Sequence, residues 1–218
     1  MKLFQAPTSP YVRKVMVIAH ETGQVADLQL HFSGTTPIAG DPDLQTANPL
    51  GKIPALVLDN GSCLFDSRVI CEYLASRAGD STLFPPAGPQ RWEALSRQAL
   101  GDGLLDAALL ARYEWLMRPE ELRSPEWRAA QLRKVELALN RIEALFSTTS
   151  DEVTIGTITL GCALGYLDFR FPELAWRTNR PAAERWFAAF DARPSMVATR
   201  PRDRTVSTDD SSSTQAQR

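Results

Sequence analysis

The stretch Thr8-Ser9-Pro10-Tyr11-Val12-Arg13-Lys14-Val15 constrains this chain more than any other. It follows a short apolar run, Lys2-Leu3-Phe4-Gln5, and opens a segment in which Val12, Val15, Met16 and Ala19 recur at three- and four-residue intervals. That spacing puts the apolar side chains on one face of a helix. Ser9 stands at the N-cap and Pro10 at the first helical position, where the N–H that proline lacks would be unpaired in any case. The unit reads strand, tight turn, serine, helix. A hydroxyl beside free backbone N–H groups and the positive end of a helix dipole is suited to hold an anion. Taken alone, a serine here is an ordinary cap.

Gly23 marks the stop of the first helix. Leu28, Leu30 and Phe32 then alternate with Gln29 and His31, the period of a half-buried strand with His31 on its solvated side. Residues 33–43 are rich in Gly, Pro, Thr and Asp and predict an irregular loop. Asn48-Pro49-Leu50-Gly51 is a turn before a short buried strand, Ala55-Leu56-Val57-Leu58. Asp59-Asn60-Gly61 signals a hairpin, with Ser62-Cys63-Leu64-Phe65 as the returning strand. Asp66-Ser67 begins a helix whose apolar face carries Val69, Ile70, Tyr73 and Leu74. The order predicts an α/β unit, a four-stranded mixed sheet with helices packed on it, over residues 1–78.

Residues 79–89 read as a linker, with three prolines and little periodicity. Beyond them, over residues 90–200, the pattern is helix alone. Trp92, Leu95, Ala99, Asp102 and Asp106 fall on a run that continues to Met117. A second helix spans Glu126 to Phe146, with Leu132, Val135, Leu139, Ile142 and Phe146 at helical spacing. A third, Ile158 to about Phe169, is nearly all apolar and therefore central. A fourth spans Arg180 to Ala192, with Trp186, Phe187 and Phe190 as its buried edge. Residues 201–218 are polar and predict a disordered tail.

With 218 residues, 44% of them hydrophobic, the chain buries a real core. A formal charge of −2 gives no basic footprint for nucleic acid. No apolar run is long enough to cross a bilayer, and Met1-Lys2 leads straight into a strand, which leaves no room for a signal peptide. Cys63, Cys71 and Cys162 are an odd number without CxxC or metal spacing, and His20 and His31 stand alone. The expectation is a reduced, cytoplasmic protein that binds no metal.

Asn48-Pro49-Leu50-Gly51-Lys52-Ile53-Pro54 and Leu64-Phe65-Asp66-Ser67-Arg68 follow the first segment at the spacing of a thioredoxin-like domain. With them the chain resembles the cytosolic glutathione transferases, most closely a bacterial branch that begins Thr-Ser-Pro-(Phe/Tyr)-Val-Arg-Lys. The resemblance covers about Met1 to Pro201. It implies a thioredoxin-like N-terminal domain that holds glutathione, as co-substrate, and an all-helical C-terminal domain that supplies a pocket for a small electrophile. It implies that Ser9 donates a hydrogen bond to the glutathione sulfur and favours thiolate over thiol. Ile53-Pro54 matches a cis-proline turn whose backbone pairs with the cysteinyl part of glutathione. Asp66-Ser67 matches the pair that binds the γ-glutamyl end, and Lys52 is a candidate for the glycyl carboxylate. Tyr11, Leu105, Leu109, Arg112 and Tyr113 are candidates for the second-substrate pocket. Such proteins are homodimers, and Asp102 or Asp106 is a candidate to reach a glutathione ammonium across the interface.

The chain departs from the family's pattern at the central helix. Thr154 is its cap, but Thr157 stands where Asp is usual, which predicts a weaker capping box. At Ser9 the branch uses Ser or Cys. With serine there, thiol–disulfide exchange through an enzyme cysteine is disfavoured. Two alternatives share the fold: a non-catalytic interaction or stress protein, and a glutathione-dependent peroxidase or lyase on the same site.

Overall fold

The computed structural model describes residues 1–148 and 152–203. Its first part runs β1 (Lys2–Gln5), α1 (Pro10–Glu21), β2 (Gln29–Phe32), α2 (Pro42–Ala47), β3 (Ala55–Val57), β4 (Cys63–Leu64) and α3 (Ser67–Ala78). The strands form one sheet in the order β2-β1-β3-β4. β1 pairs with β2 in parallel and with β3 antiparallel, and β3 pairs antiparallel with β4. This is the expected four-stranded mixed sheet.

Alternation along β1 sorts its side chains to two sides. Leu3 and Leu56 join a large core with α1 and α3, while Phe4 and Ala55 pack with Leu44 of α2. The edge strand departs from expectation. Leu28 is buried, but Leu30 is 54% and Phe32 42% exposed, because β2 lies at the sheet's margin. His31 is half-buried, with its ring 4.9 Å from that of Phe4 in an edge-on contact, so it is not the solvated residue the alternation suggested. On α3, Ile70, Cys71 and Leu74 are buried but Val69 faces solvent.

The second part is helical: α4 (Gly88–Leu116), α5 (Pro125–Phe146), α6 (Ile155–Arg170), α7 (Pro181–Asp191) and a short α8 (Pro194–Ala198) that the pattern did not predict. Every residue of α6 from Ile155 to Leu167 is buried, as its composition required. A Cβ on Gly156 would come within 2.6 Å of the Ala94 carbonyl oxygen, so glycine there sets how closely α6 approaches α4. The box at the start of α6 forms without a carboxylate. Thr157 Oγ1 accepts from the Thr154 N–H at 2.9 Å, and Thr154 Oγ1 accepts from the Thr157 N–H at 3.4 Å. The Thr157 hydroxyl also lies 3.0 Å from the carbonyls of Glu152 and Thr154, to either of which it can donate. The tail expected from about Pro201 lies, from residue 204 on, outside the described residues.

Candidate functional site

Strand register brings the expected site segments to one end of the sheet. β1 leaves the sheet at Gln5 and leads to Ser9; Phe4 lies opposite Ala55, the residue after Ile53-Pro54. Leu64, which leads to Asp66-Ser67, lies opposite Leu56. The N-termini of α1 and α3 therefore share an edge with the Ile53–Pro54 turn, whose peptide bond is cis.

Ser9 caps α1 in extended backbone conformation, its Oγ accepting from the Val12 N–H at 3.3 Å. Its O–H has no acceptor among the described residues, so the proton is free to be donated. Tyr11 differs in this respect. Its hydroxyl donates a short hydrogen bond to the Asp106 carboxylate, and burial together with that carboxylate holds the phenol protonated far above its ordinary range. Asp66 caps α3 by accepting from the Arg68 N–H at 2.9 Å. Ser67 is 2% exposed, and its hydroxyl makes no hydrogen bond among the described residues. Lys52 is exposed and unpaired among them, while its carbonyl accepts from Asn48 Nδ2 at 2.8 Å.

The rest of the opening segment ties α1 to the helical part. Lys14, wholly buried, donates to Asp102 at 2.6 Å, and Arg68 donates to the other oxygen of Asp102 at 2.8 Å. Asp102 is 1% exposed with both oxygens engaged, so it cannot serve as a residue that reaches across a dimer interface. Arg13 donates to Asp191 and to the Met196 carbonyl, both at 3.1 Å. A Cβ on Gly165 would meet Arg13 Nη1 at 2.2 Å, so α6 makes room for that guanidinium. Sequence reasoning assigned no role to Arg13, Lys14 or Arg68. The signal was the density of basic residues beside an apolar helix face, but the partners are 34 to 178 residues away.

Of the expected second-pocket residues, Leu105 is 0% exposed and belongs to the core, so it lines no open surface. Leu109, Arg112 and Tyr113 are half-buried, and burial raises the Tyr113 phenol. Tyr166, which the sequence did not single out, lines a narrow crevice with Ser9, Arg13 and Pro201, and burial pushes its phenol up to about 12. All three thiols are raised by burial, Cys71 to about 12 and Cys162 to about 11, which leaves no ready thiolate on the protein. Among the described residues no cluster of three or more His, Cys, Asp or Glu could hold a metal, and no helix is long and apolar enough to cross a membrane.

Comparisons with known proteins agree along nearly the whole chain. A family model described as "Glutathione S-transferase, N-terminal domain" matches residues 8–77, and one described as "Glutathione S-transferase, C-terminal domain" matches residues 125–189. An uncharacterized GST-like protein of Escherichia coli, YibF, is 31% identical, over 92% of this chain and 98% of its own length. Glutathione S-transferase 3 of Zea mays is 29% identical, over 91% and 92%. A glutathione transferase family member from Pseudomonas fluorescens, solved with bound glutathione, superposes with a TM-score of 0.87 at 46% identity, over 93% of this chain and 99% of that one.

Proposed function

Because this chain belongs to the glutathione S-transferase family, we propose that it conjugates glutathione to a small electrophile, with Ser9 holding the sulfur as thiolate. The observation that carries this reading is the unengaged Ser9 proton at the N-terminus of α1, beside a Tyr11 hydroxyl already committed to Asp106. A free cysteine thiol has a pKa of about 8.5, so only a few per cent is ionised at neutral pH. Lowering it by two units needs about 2.7 kcal/mol in favour of the charged form. A charge-assisted hydrogen bond and a helix terminus together supply that order of energy. The thiolate attacks the electrophilic carbon, a C–S bond forms, and the leaving group departs with the bonding pair.

In this proposal residues 1–78 bind glutathione, residues 79–89 are the linker, and residues 90–200 supply the other wall of the cleft. The cis Ile53–Pro54 turn offers its backbone to the cysteinyl unit as an added strand would. The Ser67 hydroxyl, free of partners among the described residues, takes the α-carboxylate at the start of α3, and Asp66 faces the α-ammonium. Lys52 takes the glycyl carboxylate. Tyr11, Leu109, Arg112 and Tyr113 lie toward the second substrate. A homodimeric, cytoplasmic enzyme of the bacterial branch that begins Thr-Ser-Pro-(Phe/Tyr)-Val-Arg-Lys fits this reading.

The test is a calorimetric titration with reduced glutathione, followed by turnover of an aryl halide across pH by wild type and Ser9→Ala. We expect one glutathione site per chain in both proteins. Turnover by Ser9→Ala should fall roughly 25-fold at pH 7, the ratio of thiolate fractions for pKa values of about 6.5 and 8.5, and the gap should narrow above pH 9. An unchanged rate at pH 7 removes the thiolate role. No binding by wild type removes the enzyme reading.

A further inference from the structure

A cleft of about 360 Å³ opens beyond the C-terminal half of α4, between the α4–α5 connection, the start of α5 and the end of α6. Four guanidinium groups line it, those of Arg112, Arg123, Arg128 and Arg170, with Trp115 and Phe171 as apolar wall. In a chain of net charge −2 this is a concentrated surplus of positive charge. We propose that this cleft is the anion subsite for the second substrate, so that the electrophile carries a carboxylate on an apolar or aromatic body. The inference rests on the conjugation reaction proposed above.

The cations of this cleft are incompletely answered by the protein. Arg112 makes no ion pair or hydrogen bond among the described residues. Arg123 donates only to the Arg118 carbonyl, at 3.3 Å. Arg128 stands 3.8 Å from the exposed Glu173, and its Nε is buried without a partner. Arg170 alone is well matched, by two hydrogen bonds to Asp203 at 2.6 and 3.2 Å. Gathering like charges this way is unfavourable unless something anionic is to be received. Guanidinium forks match a planar carboxylate in bidentate geometry. The forks are also held in place, for the guanidinium carbons of Arg123 and Arg128 lie 5.0 and 5.3 Å from the Trp115 ring centroid.

The cleft and the Ser9 crevice both border α6. Tyr166 lines the Ser9 crevice, and its ring centroid is 6.3 Å from that of Phe171 in the cleft wall. Arg112 stands six residues along α4 from Asp106, the partner of Tyr11, which is about 9 Å of helix. In the proposal the electrophile bridges the cleft and the crevice. The carboxylate would be seated by the arginines, and the reacting carbon would face Ser9.

The test compares 4-chloro-3-nitrobenzoate with its ethyl ester, each rate divided by its uncatalysed rate with glutathione. At low salt the benzoate should show a kcat/KM advantage of at least about tenfold, carried in KM and shrinking as salt screens the arginines. Arg128→Gln should cut that advantage at least fivefold, and Arg128→Lys should restore part of it. Arg123→Gln, across Trp115, is the second variant should Arg128→Gln fail to fold. An ester turned over as well as the acid, or an advantage indifferent to both salt and variants, overturns the inference. If neither compound reacts, the conjugation reading has failed, and calorimetric binding then decides the subsite. Salt-sensitive binding of the benzoate in preference to the ester upholds it; equal binding, or none, removes it.

Discussion

Two groups of cations lie against the same helix and differ in what answers them. Midway along α4, Lys14 from α1 and Arg68 from α3 converge on one buried carboxylate, Asp102, and occupy both its oxygens. At the C-terminal end of α4, four arginines line one cleft with Trp115, and among the described residues only Glu173 and Asp203 are in ion-pair reach. In the first group Lys14 and Asp102 are closed off from solvent and join the sheet unit to the helical unit, with the half-exposed Arg68 completing the carboxylate's partners. The second is open, and its unmatched N–H donors are what a ligand would find. Charge that is matched and dry belongs to the architecture of this protein; charge in surplus beside solvent belongs to recognition.

The sharpest way to break that contrast is at Asp102. Asp102→Asn leaves the Lys14 ammonium buried without an opposite charge, and it should cost about 3–5 kcal/mol in urea unfolding. Replacing both partners by apolar residues, Lys14→Met with Asp102→Leu, should recover most of the loss, since the desolvation of the pair disappears with it. A loss under about 1 kcal/mol for Asp102→Asn would show that the group does not hold the two units together.

A smaller effect sharpens the contrast, at a buried polar position without charge. Thr157 is 0% exposed and satisfies the Thr154 N–H while its own proton faces two carbonyls. Thr157→Val keeps the shape and deletes the hydroxyl, and it should cost about 2 kcal/mol. Smaller again is Glu21, at the far end of α1. Burial opposes its ionisation, but hydrogen bonds from Arg193 and Ser195 outweigh that and hold its carboxyl below the usual value. A depressed folded-state pKa contributes stability above the unfolded value of about 4.3, and the contribution fades as pH falls below it. Glu21→Gln should therefore cost about 1 kcal/mol at pH 7, allowing for solvent screening. The deficit should shrink below about pH 4; a constant penalty down to pH 3 would mean that the carboxylate charge contributes nothing.

What was legible in the chain was local or compositional. Ser9-Pro10 marks a helix start by its own backbone chemistry, and α6 is central because almost nothing in it suits water. The expected cis bond at Ile53–Pro54 came from resemblance, and the bond is cis. What was illegible depends on which distant segments meet. Arg13 and Lys14 sit in the most readable stretch of the sequence, yet Asp191 and Asp102 are assigned to them only by packing that brings α1 to the end of α7 and to the middle of α4. Leu30 alternates like a buried residue and is exposed because strand order, not strand pattern, puts β2 at the margin. The four cleft arginines come from three helices and a connection, with no shared spacing to betray them.

The smallest expected effect is also the one that separates the two groups most cleanly. Arg123→Gln removes one cation from the open cluster. Its contact with Trp115 is exposed and worth about 0.5–1 kcal/mol, and the repulsion it relieves is of similar size and opposite sign. At moderate salt the variant should match wild type within about 0.5 kcal/mol. The sign of the difference should move with salt. At low ionic strength the repulsion among the arginines is felt in full and the variant should be the more stable. As salt rises the repulsion is screened while the packing on Trp115 is not, so wild type should overtake it. The Asp102 group, with Lys14 and Asp102 both dry, should show no such crossing. Parallel urea unfolding of wild type, Asp102→Asn and Arg123→Gln at low and high salt reads both slopes at once. If Arg123→Gln is destabilised equally at both, the four arginines do not act as a repelling surplus.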